Sequence, residues 1–366
     1  MAEFLQEMAP IDSRTPVTTV DSQRVLIAAL AYGAVFWLCY IAYAFHLGMI
    51  GNDFGVFHRA ASEPLSSVYA LREANPFAYP PTTLLWLQPL AWLSLKSGFV
   101  LWVTLSIGAI AWASNRLAGP RVALLVVFSP ALVTTIAVGQ FGALVAAMIL
   151  IAVSLKGWRQ GLLLGLAATI KPQILLAAPL ILLTRKDWGA LIGASIAVAA
   201  TITIELLALG SQLWLDWAKA LRAFPKAVDH AHAYAGSVSP MGVASNFHLS
   251  TWPFFILGVT IAVLLITKRS RGADCLELAG LIILASALMS PYLLTYDTIA
   301  IVPFVVQQML VRGGRNQTAA LAVFVSPFLA LSLLWLTVTM LLRKSPYLDI
   351  YGSGTDGSNR TASTIG

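Results

Sequence analysis

Charged residues are scarce in this sequence: Asp, Glu, Lys and Arg together make up 11% of its 366 residues, while 58% are hydrophobic. A soluble globular domain carries about 25% charged residues. A chain of this length with so few charges has too little polar surface to cover a water-exposed sphere, which excludes a soluble domain. The bilayer must be the solvent. Because a spanning helix needs about 20 apolar residues, the apolar runs predict an all-α polytopic membrane protein with about ten crossings.

Cysteine and acidic residues are also few. Cys39 and Cys275 lie in or beside apolar runs without a neighbouring thiol, so we predict neither a disulfide framework nor a metal site. The net charge of +7 would suggest a nucleic-acid partner in a soluble protein. Here the basic cluster at 268–271 directly follows an apolar run, which is typical of a cytoplasmic loop. No nucleic-acid partner is therefore expected, and the lipid bilayer is the predicted partner.

The first basic residues orient the chain in the membrane. Arg14 and Arg24 precede the first apolar run, about 25–45, and the residues before it are polar. Since cytoplasmic segments carry the excess of Lys and Arg, residues 1–23 are predicted to be a cytoplasmic tail. The polar segment at about 47–81 is then the first external loop.

Later basic turns extend this topology. Residues 24–342 are predicted to be a single transmembrane domain with a second external loop at about 210–250, in which 213–224 has the pattern of an interfacial helix. Residues 343–366 are rich in Gly, Ser and Thr and are predicted to be a flexible tail. The basic pairs and clusters that indicate cytoplasmic turns are Lys156 with Arg159, Arg185 with Lys186, Lys268 to Arg271, and Arg312 with Arg315.

Two apolar runs fit more than one topology. The run 82–120 contains Lys96 and Arg116, with Arg121 just beyond, and these cannot all be cytoplasmic if both apolar halves cross fully. The run 318–342 fits either one span or a proline-broken pair, which leaves the side of the C-terminal tail open.

Lys171 and Pro172 interrupt an apolar run between two basic turns, Arg159 and Arg185. If both turns are cytoplasmic, the segment must enter the membrane and return. Two half-length helices that meet at Lys171 satisfy this, because proline removes a backbone donor and disfavours helix in the residue before it. Such broken helices occur where the backbone lines a cavity. Lys171 is then either a cation suited to a phosphate or a lysine that extends from a helix end to the interface.

Two polar residues follow apolar runs on the predicted external side. Asp53, in Gly51-Asn52-Asp53, fits a general base whose pKa is raised by partial burial, or a simple helix cap. Gln140 is a possible companion of Lys171, or a side chain that bonds free backbone carbonyls.

The late turn Ser290–Asp297 is rich in groups that hydrogen-bond sugars. Tyr292, Tyr296 and Asp297 could bind a sugar or orient a cation, although an interfacial aromatic belt explains the tyrosines equally well. The loop histidines, among them His232, have no HxxxH spacing and no adjacent thiolate. We therefore predict no metal ion.

The order of five motifs resembles glycosyltransferase family 87, a group of multispanning enzymes of the GT-C type. Each motif alone is weakly specific, whereas the five in order are more so. They are Asp53 followed by Phe54 to Ala61, Phe77 to Pro81, Gly139-Gln140, Gly161 to Pro172, and Ser290 to Asp297.

The resemblance implies a GT-C fold with about 10–12 transmembrane helices and two larger external loops. It also implies an active site facing outward from the plasma (inner) membrane, with no cofactor. The donor would be a sugar, most plausibly mannose, on a polyprenyl phosphate, and the acceptor a glycolipid or cell-envelope glycan. Asp53 would be the general base of an inverting transfer, and Lys171 would stabilise the leaving phosphate.

The resemblance assigns further residues to two subsites. Mycobacterial members have a histidine near the late motif, where this chain has Tyr296-Asp297, so the acceptor is left open. A transporter or flippase of a lipid-linked sugar is the alternative, because broken helices fit transporters too. The polar residues gather in two external loops, however, which favours an enzyme.

The two subsites that the resemblance implies are made of residues from these loops and from the helix ends. The donor site would include Tyr79, Gln140, Arg59 and His58, and the late polar or acceptor site Tyr292, Tyr296, Asp297 and His232.

Overall fold

The computed structural model describes residues 20–70, 76–230, 236–310, 315–326 and 330–342. These residues form helices and turns, with one isolated bridge between Ser237 and Leu294. In chain order the helices are α1 (Val20–His46), α2 (Asn52–Ser62), α3 (Thr82–Leu87), α4 (Leu95–Ala118), α5 (Pro120–Val127), α6 (Pro130–Val138), α7 (Gly142–Ser154), α8 (Gly157–Ile170), α9 (Ala178–Arg185), α10 (Trp188–Leu209), α11 (Gln212–His230), α12 (Pro240–Asn246), α13 (Thr251–Arg269), α14 (Cys275–Met289), α15 (Val302–Leu310), α16 (Arg315–Val325) and α17 (Ala330–Leu342).

Four helices of the described chain, α1, α4, α10 and α13, are long and apolar enough to cross a membrane. A fifth candidate is the pair α5 and α6, which is bent by 53°. Several shorter apolar helices, including α7 and α14, pack inside the bundle. The prediction of an all-α polytopic membrane protein is confirmed. The figure of 10–12 spans stays a prediction, because length and composition identify only the longer helices.

The two ambiguous runs have simple structures. In 82–120, the short helix α3 and a 3₁₀ turn precede one 24-residue helix, α4, with Lys96 in its first turn and Arg116 in its last. The two cations therefore lie at opposite ends of one helix. Because this helix is a candidate membrane span, they belong to opposite sides of the membrane. In 318–342 the chain forms two helices, α16 and α17, rather than one. The two predicted tails lie almost wholly outside the described residues.

The break at Lys171 is present as predicted. Helix α8 ends at Ile170, a 3₁₀ turn follows at Pro172–Leu175, and α9 begins at Ala178. Helix α8 packs closely against α10 because glycines let the two backbones approach. A Cβ atom at Gly161 would lie 1.8 Å from the carbonyl oxygen of Ala190. This close packing holds α8 against α10.

Candidate active site

Three side chains from separate segments meet at the Gln140 amide. Its Nε2 donates to Asp53 Oδ2 at 2.5 Å. Its Oε1 accepts two hydrogen bonds, from the Tyr79 hydroxyl at 2.5 Å and from Lys171 Nζ at 2.9 Å. Because a carboxylate only accepts and an ammonium only donates, the NH₂ group must face Asp53. Exchanging it with the oxygen would lose the bonds to both Asp53 and Lys171.

Lys171 also forms an ion pair with Asp297. The distance from Nζ to Oδ1 is 2.6 Å, and each side chain is 1% exposed. The second oxygen of Asp297 accepts from the backbone N–H of Leu294 at 3.3 Å. The ammonium lies 4.8 Å from the centre of the Tyr296 ring and 5.4 Å from that of Tyr79, which is cation–π distance. A buried pair needs such additional contacts, because removing two charges from water is costly.

Two glycines bring Asp53 next to Gln140. Gly51, before α2, and Gly139, after α6, both have positive φ angles, 71° and 79°. The Gly51 N–H donates to the Ala137 carbonyl at 2.7 Å, which joins the two turns. A Cβ atom at Gly139 would lie 2.5 Å from the Cβ of Phe54. Glycine is therefore required here both for backbone conformation and for the close approach of the turns.

An aromatic cluster forms one wall of the site. The ring centres of Phe57 and Tyr79 are 5.2 Å apart in an edge-on arrangement, and those of Phe57 and Phe141 are 4.9 Å apart. Trp102 of α4 meets Phe141 edge-on at 4.7 Å. These large side chains hold Tyr79 in place by packing. They also exclude water from one side of the hydrogen-bond network.

Hydrogen bonds that the sequence did not suggest fix the loop that carries Tyr79. The Tyr69 hydroxyl donates to the Tyr79 carbonyl at 2.9 Å, and Trp217 Nε1 of α11 donates to the Ala78 carbonyl at 3.1 Å. Nothing in the local sequence distinguishes this tryptophan from an interface anchor. The Thr82 hydroxyl donates to the Thr169 carbonyl at 2.6 Å and ties the loop to the end of α8.

The second predicted external loop is attached to the late motif. The Val238 N–H donates to the Leu293 carbonyl at 2.7 Å, and Ser237 forms a bridge with Leu294. Leu294 in turn donates to Asp297. A short piece of backbone therefore connects this loop to the carboxylate that pairs with Lys171.

The structure brings Asp53, Tyr79, Gln140, Lys171 and Asp297 together in one hydrogen-bond network. The surroundings of this network raise the pKa of two tyrosines. Burial raises the pKa of Tyr79 well above its ordinary value, and the nearby Asp297 and Asp53 carboxylates raise it further. The pKa of Tyr296 is raised in the same way, first by burial and then by Asp53 and Asp297. Tyr292 also raises the pKa of both residues. Both phenols therefore stay neutral at physiological pH.

Two further predicted residues, His58 and Arg59, belong to helix α2. A ring nitrogen of His58, Nε2, is 2.9 Å from the Leu93 carbonyl, on a different side of α2 from Asp53. Arg59 is half-buried in the last turn of α2. Their roles at the donor site stay predictions, and His232 lies outside the described residues. Among the described residues, no group of three His, Cys, Asp or Glu side chains is placed to hold a metal ion.

Comparison with known sequences identifies the family of this chain. The sequence model of glycosyltransferase family 87 matches residues 77–291, more than half of the chain. The chain belongs to glycosyltransferase family 87. It is a membrane glycosyltransferase, as the order of the motifs suggested. The matched segment contains Tyr79, Gln140 and Lys171, whereas Asp53 and Asp297 lie outside it and are joined to it by geometry.

A curated relative comes from Mycolicibacterium smegmatis. It is a polyprenol-phosphate-mannose-dependent alpha-(1-2)-phosphatidylinositol pentamannoside mannosyltransferase. The two sequences are 25% identical over 279 residues, which covers 71% of this chain and 67% of the relative. No solved structure matches the chain.

Proposed function

We propose that this glycosyltransferase moves mannose from a polyprenyl phosphate to a glycolipid or cell-envelope glycan, with inversion at the anomeric carbon. The observation that carries the proposal is the contact between Gln140 and Asp53. A catalytic base needs a fixed orientation, and the amide supplies it through two further bonds on its opposite end.

Asp53 is the proposed general base. Its carboxylate takes the proton of an acceptor hydroxyl as that oxygen attacks the anomeric carbon of the donor. The bond from that carbon to the phosphate oxygen breaks at the same time, and its electron pair leaves with the polyprenyl phosphate. Attack and departure occur on opposite faces of the sugar, so the configuration inverts.

Lys171 is the proposed partner of the leaving phosphate, where negative charge develops. An ammonium group has three donors, and two of them bond Gln140 and Asp297. The third is available for a phosphate oxygen. Asp297 holds the ammonium in position.

The direction of two helices supports an outward-facing site. Helix α7 begins next to Gln140 and ends before Lys156, whereas α8 begins after Lys156 and ends at Lys171. The network and the basic turn are therefore at opposite ends of the same helices. Since basic turns are generally cytoplasmic, this arrangement supports our proposal that the network faces the external side of the plasma membrane.

The donor and acceptor are inferred from chemistry and from the relative. The name of the Mycolicibacterium smegmatis enzyme specifies a polyprenol-phosphate-mannose donor and a phosphatidylinositol mannoside acceptor. The donor-side residues Tyr79, Gln140 and Lys171 lie in the segment shared with the family. The late motif lies at or beyond the end of that segment, so the acceptor is proposed only as a glycolipid or glycan.

A transfer assay tests the proposal. Purified protein in detergent is incubated with radiolabelled polyprenyl-phosphomannose and a lipid extract of the host. Asp53→Asn and Asp53→Ala are compared with the wild type and with Asp216→Asn, a carboxylate variant on the exposed side of α11. We expect a labelled glycolipid with the wild type and the control, and a loss of about 100-fold or more in both Asp53 variants. Undiminished transfer by both would remove Asp53 from the mechanism. No transfer from any lipid-linked sugar would favour a transporter or flippase.

A further inference from the structure

A cavity of about 610 Å³ lies at the end of the helices opposite the Gln140 network. It is enclosed by the C-terminal ends of α4 and α7 and by the N-terminal ends of α8 and α14. Cavities that bind small molecules generally measure about 300–1,000 Å³. The proposed sugar transfer makes no use of this space.

Three cations line the cavity: Arg116, Lys156 and Arg185. Two carboxylates also line it, and each of them already accepts a hydrogen bond from its own helix. Asp187 Oδ1 accepts from the Ala190 N–H at 3.0 Å, and Asp274 Oδ1 accepts from the Glu277 N–H at 2.8 Å. The carboxylates are thus directed at helix ends, while the lining as a whole is positively charged.

The N-terminus of α8 opens into the same cavity without a side-chain cap. The residue at the cap position is Lys156, and Gly157, which follows it, has open space where a Cβ atom would stand. The Gln160 side chain lines the cavity although the residue is only 5% exposed. Within the described part of the chain, no hydrogen bond joins this amide to another residue, and its polar atoms are not among the side-chain atoms shut off from solvent. The amide is therefore a hydrogen-bonding group that faces the cavity.

The rest of the lining is apolar and reaches the lipid-facing surface. Leu117, Ile151 and Leu278 line the cavity, and Trp112 lies at its side with 44% of its surface exposed. Trp112 belongs to α4, one of the membrane-crossing candidates. A ligand can therefore place an anionic group among the cations and an acyl chain along this wall.

We propose that this cavity binds the phosphate headgroup of an anionic membrane lipid. Phosphate oxygens suit an uncapped helix N-terminus, cationic side chains and a free amide donor. Inorganic phosphate can make the same polar contacts, but it has no acyl chain to contact the apolar wall. The site lies away from the Gln140 network and does not depend on the proposed transfer reaction.

The test measures binding to the purified full-length protein in an uncharged detergent. Dihexanoyl phosphatidic acid is titrated, and the midpoint of thermal unfolding is followed, in parallel with inorganic phosphate and with dihexanoyl phosphatidylcholine. We expect saturable stabilisation by phosphatidic acid, and little effect of the other two. Gln160→Ala and Lys156→Gln should each weaken that binding by about tenfold or more, since each removes a donor to a charged group.

Arg121→Gln is the matched control. Arg121 is an exposed cation at the start of α5 and does not line the cavity, so its loss should leave the affinity unchanged. Each variant is compared with its own unfolding midpoint without lipid, which separates binding from stability. Equal affinity of the two cavity variants and the wild type would overturn the proposal, as would an absence of saturable binding. Inorganic phosphate that binds as tightly as phosphatidic acid would show a free-anion site and would also overturn it.

Discussion

Gln140 and Asp53 are joined by a hydrogen bond of 2.5 Å between the amide nitrogen and a carboxylate oxygen. The amide owes its orientation to Tyr79 and Lys171, which both donate to its oxygen. The orientation of the proposed base is therefore set by residues from three other segments of the chain. The following predictions depend on this arrangement and on the packing that supports it.

Gln140→Glu should slow sugar transfer by about 100-fold or more, because a carboxylate oxygen replaces the donor that faces Asp53 and repels it. The initial rate of labelled mannose transfer measures the effect. Gln212 provides a matched control, since its Nε2 donates to Asp216 at 3.0 Å on the exposed side of α11. Gln212→Glu should leave the rate within about threefold of the wild type, because surface charges are screened. A similar loss in both variants would contradict a specific role for Gln140.

Asp297→Asn should destabilise the protein by about 3–5 kcal/mol, because it leaves the Lys171 ammonium buried without its counter-charge. The double variant Lys171→Met with Asp297→Leu should recover most of that stability and yet stay inactive. The free energy of unfolding in mixed micelles and the transfer rate together separate the two effects.

The control for this pair is exposed on the surface. Lys219 pairs with Asp216 at 3.1 Å with side-chain exposures of 72% and 32%. Lys219→Met should change the free energy of unfolding by about 1 kcal/mol or less. Activity in the double variant at the wild-type level would show that Lys171 has a structural role only.

Gly161→Ala should lower the free energy of unfolding by about 1–3 kcal/mol, because the new methyl group meets the backbone of α10. Gly108 of α4 is the control, since a Cβ atom there has nothing within 4 Å. Gly108→Ala should be neutral or stabilising, by up to about 1 kcal/mol. Thermal unfolding in detergent measures both, and equal effects would contradict the close packing of α8 on α10.

Trp217→Phe should raise the KM for the lipid-linked donor several-fold with a smaller change in kcat. The substitution keeps the aromatic ring but removes the N–H that bonds the Ala78 carbonyl, so the loop carrying Tyr79 is held less firmly. Trp252, which is 69% exposed, supplies the control substitution Trp252→Phe. Steady-state kinetics with varied donor concentration give KM and kcat for the wild type and for both variants. An equal KM in all three proteins would exclude the positioning role.

Local signals predicted some of this structure well. Lys171-Pro172 marked the helix break because proline acts on its immediate neighbours, and the apolar runs identified a helical membrane protein. The ion pair between Lys171 and Asp297 was not predicted, because it joins residues 126 positions apart. The family resemblance had placed Lys171 at the donor site and Asp297 at the late polar or acceptor site. Charge alone also left 82–120 open, since it does not reveal that Lys96 and Arg116 lie at the two ends of one helix.

The backbone bridge between Ser237 and Leu294 restricts how the length of the second predicted external loop can change during evolution. A loop that recognises acceptors must vary if new acceptors are to be used. Here the residues at 237–238 hydrogen-bond to the segment that anchors Asp297, so insertions or deletions at that point would disturb the Lys171 charge pair. We expect insertions and deletions among relatives with different acceptors to be rare at the bridge.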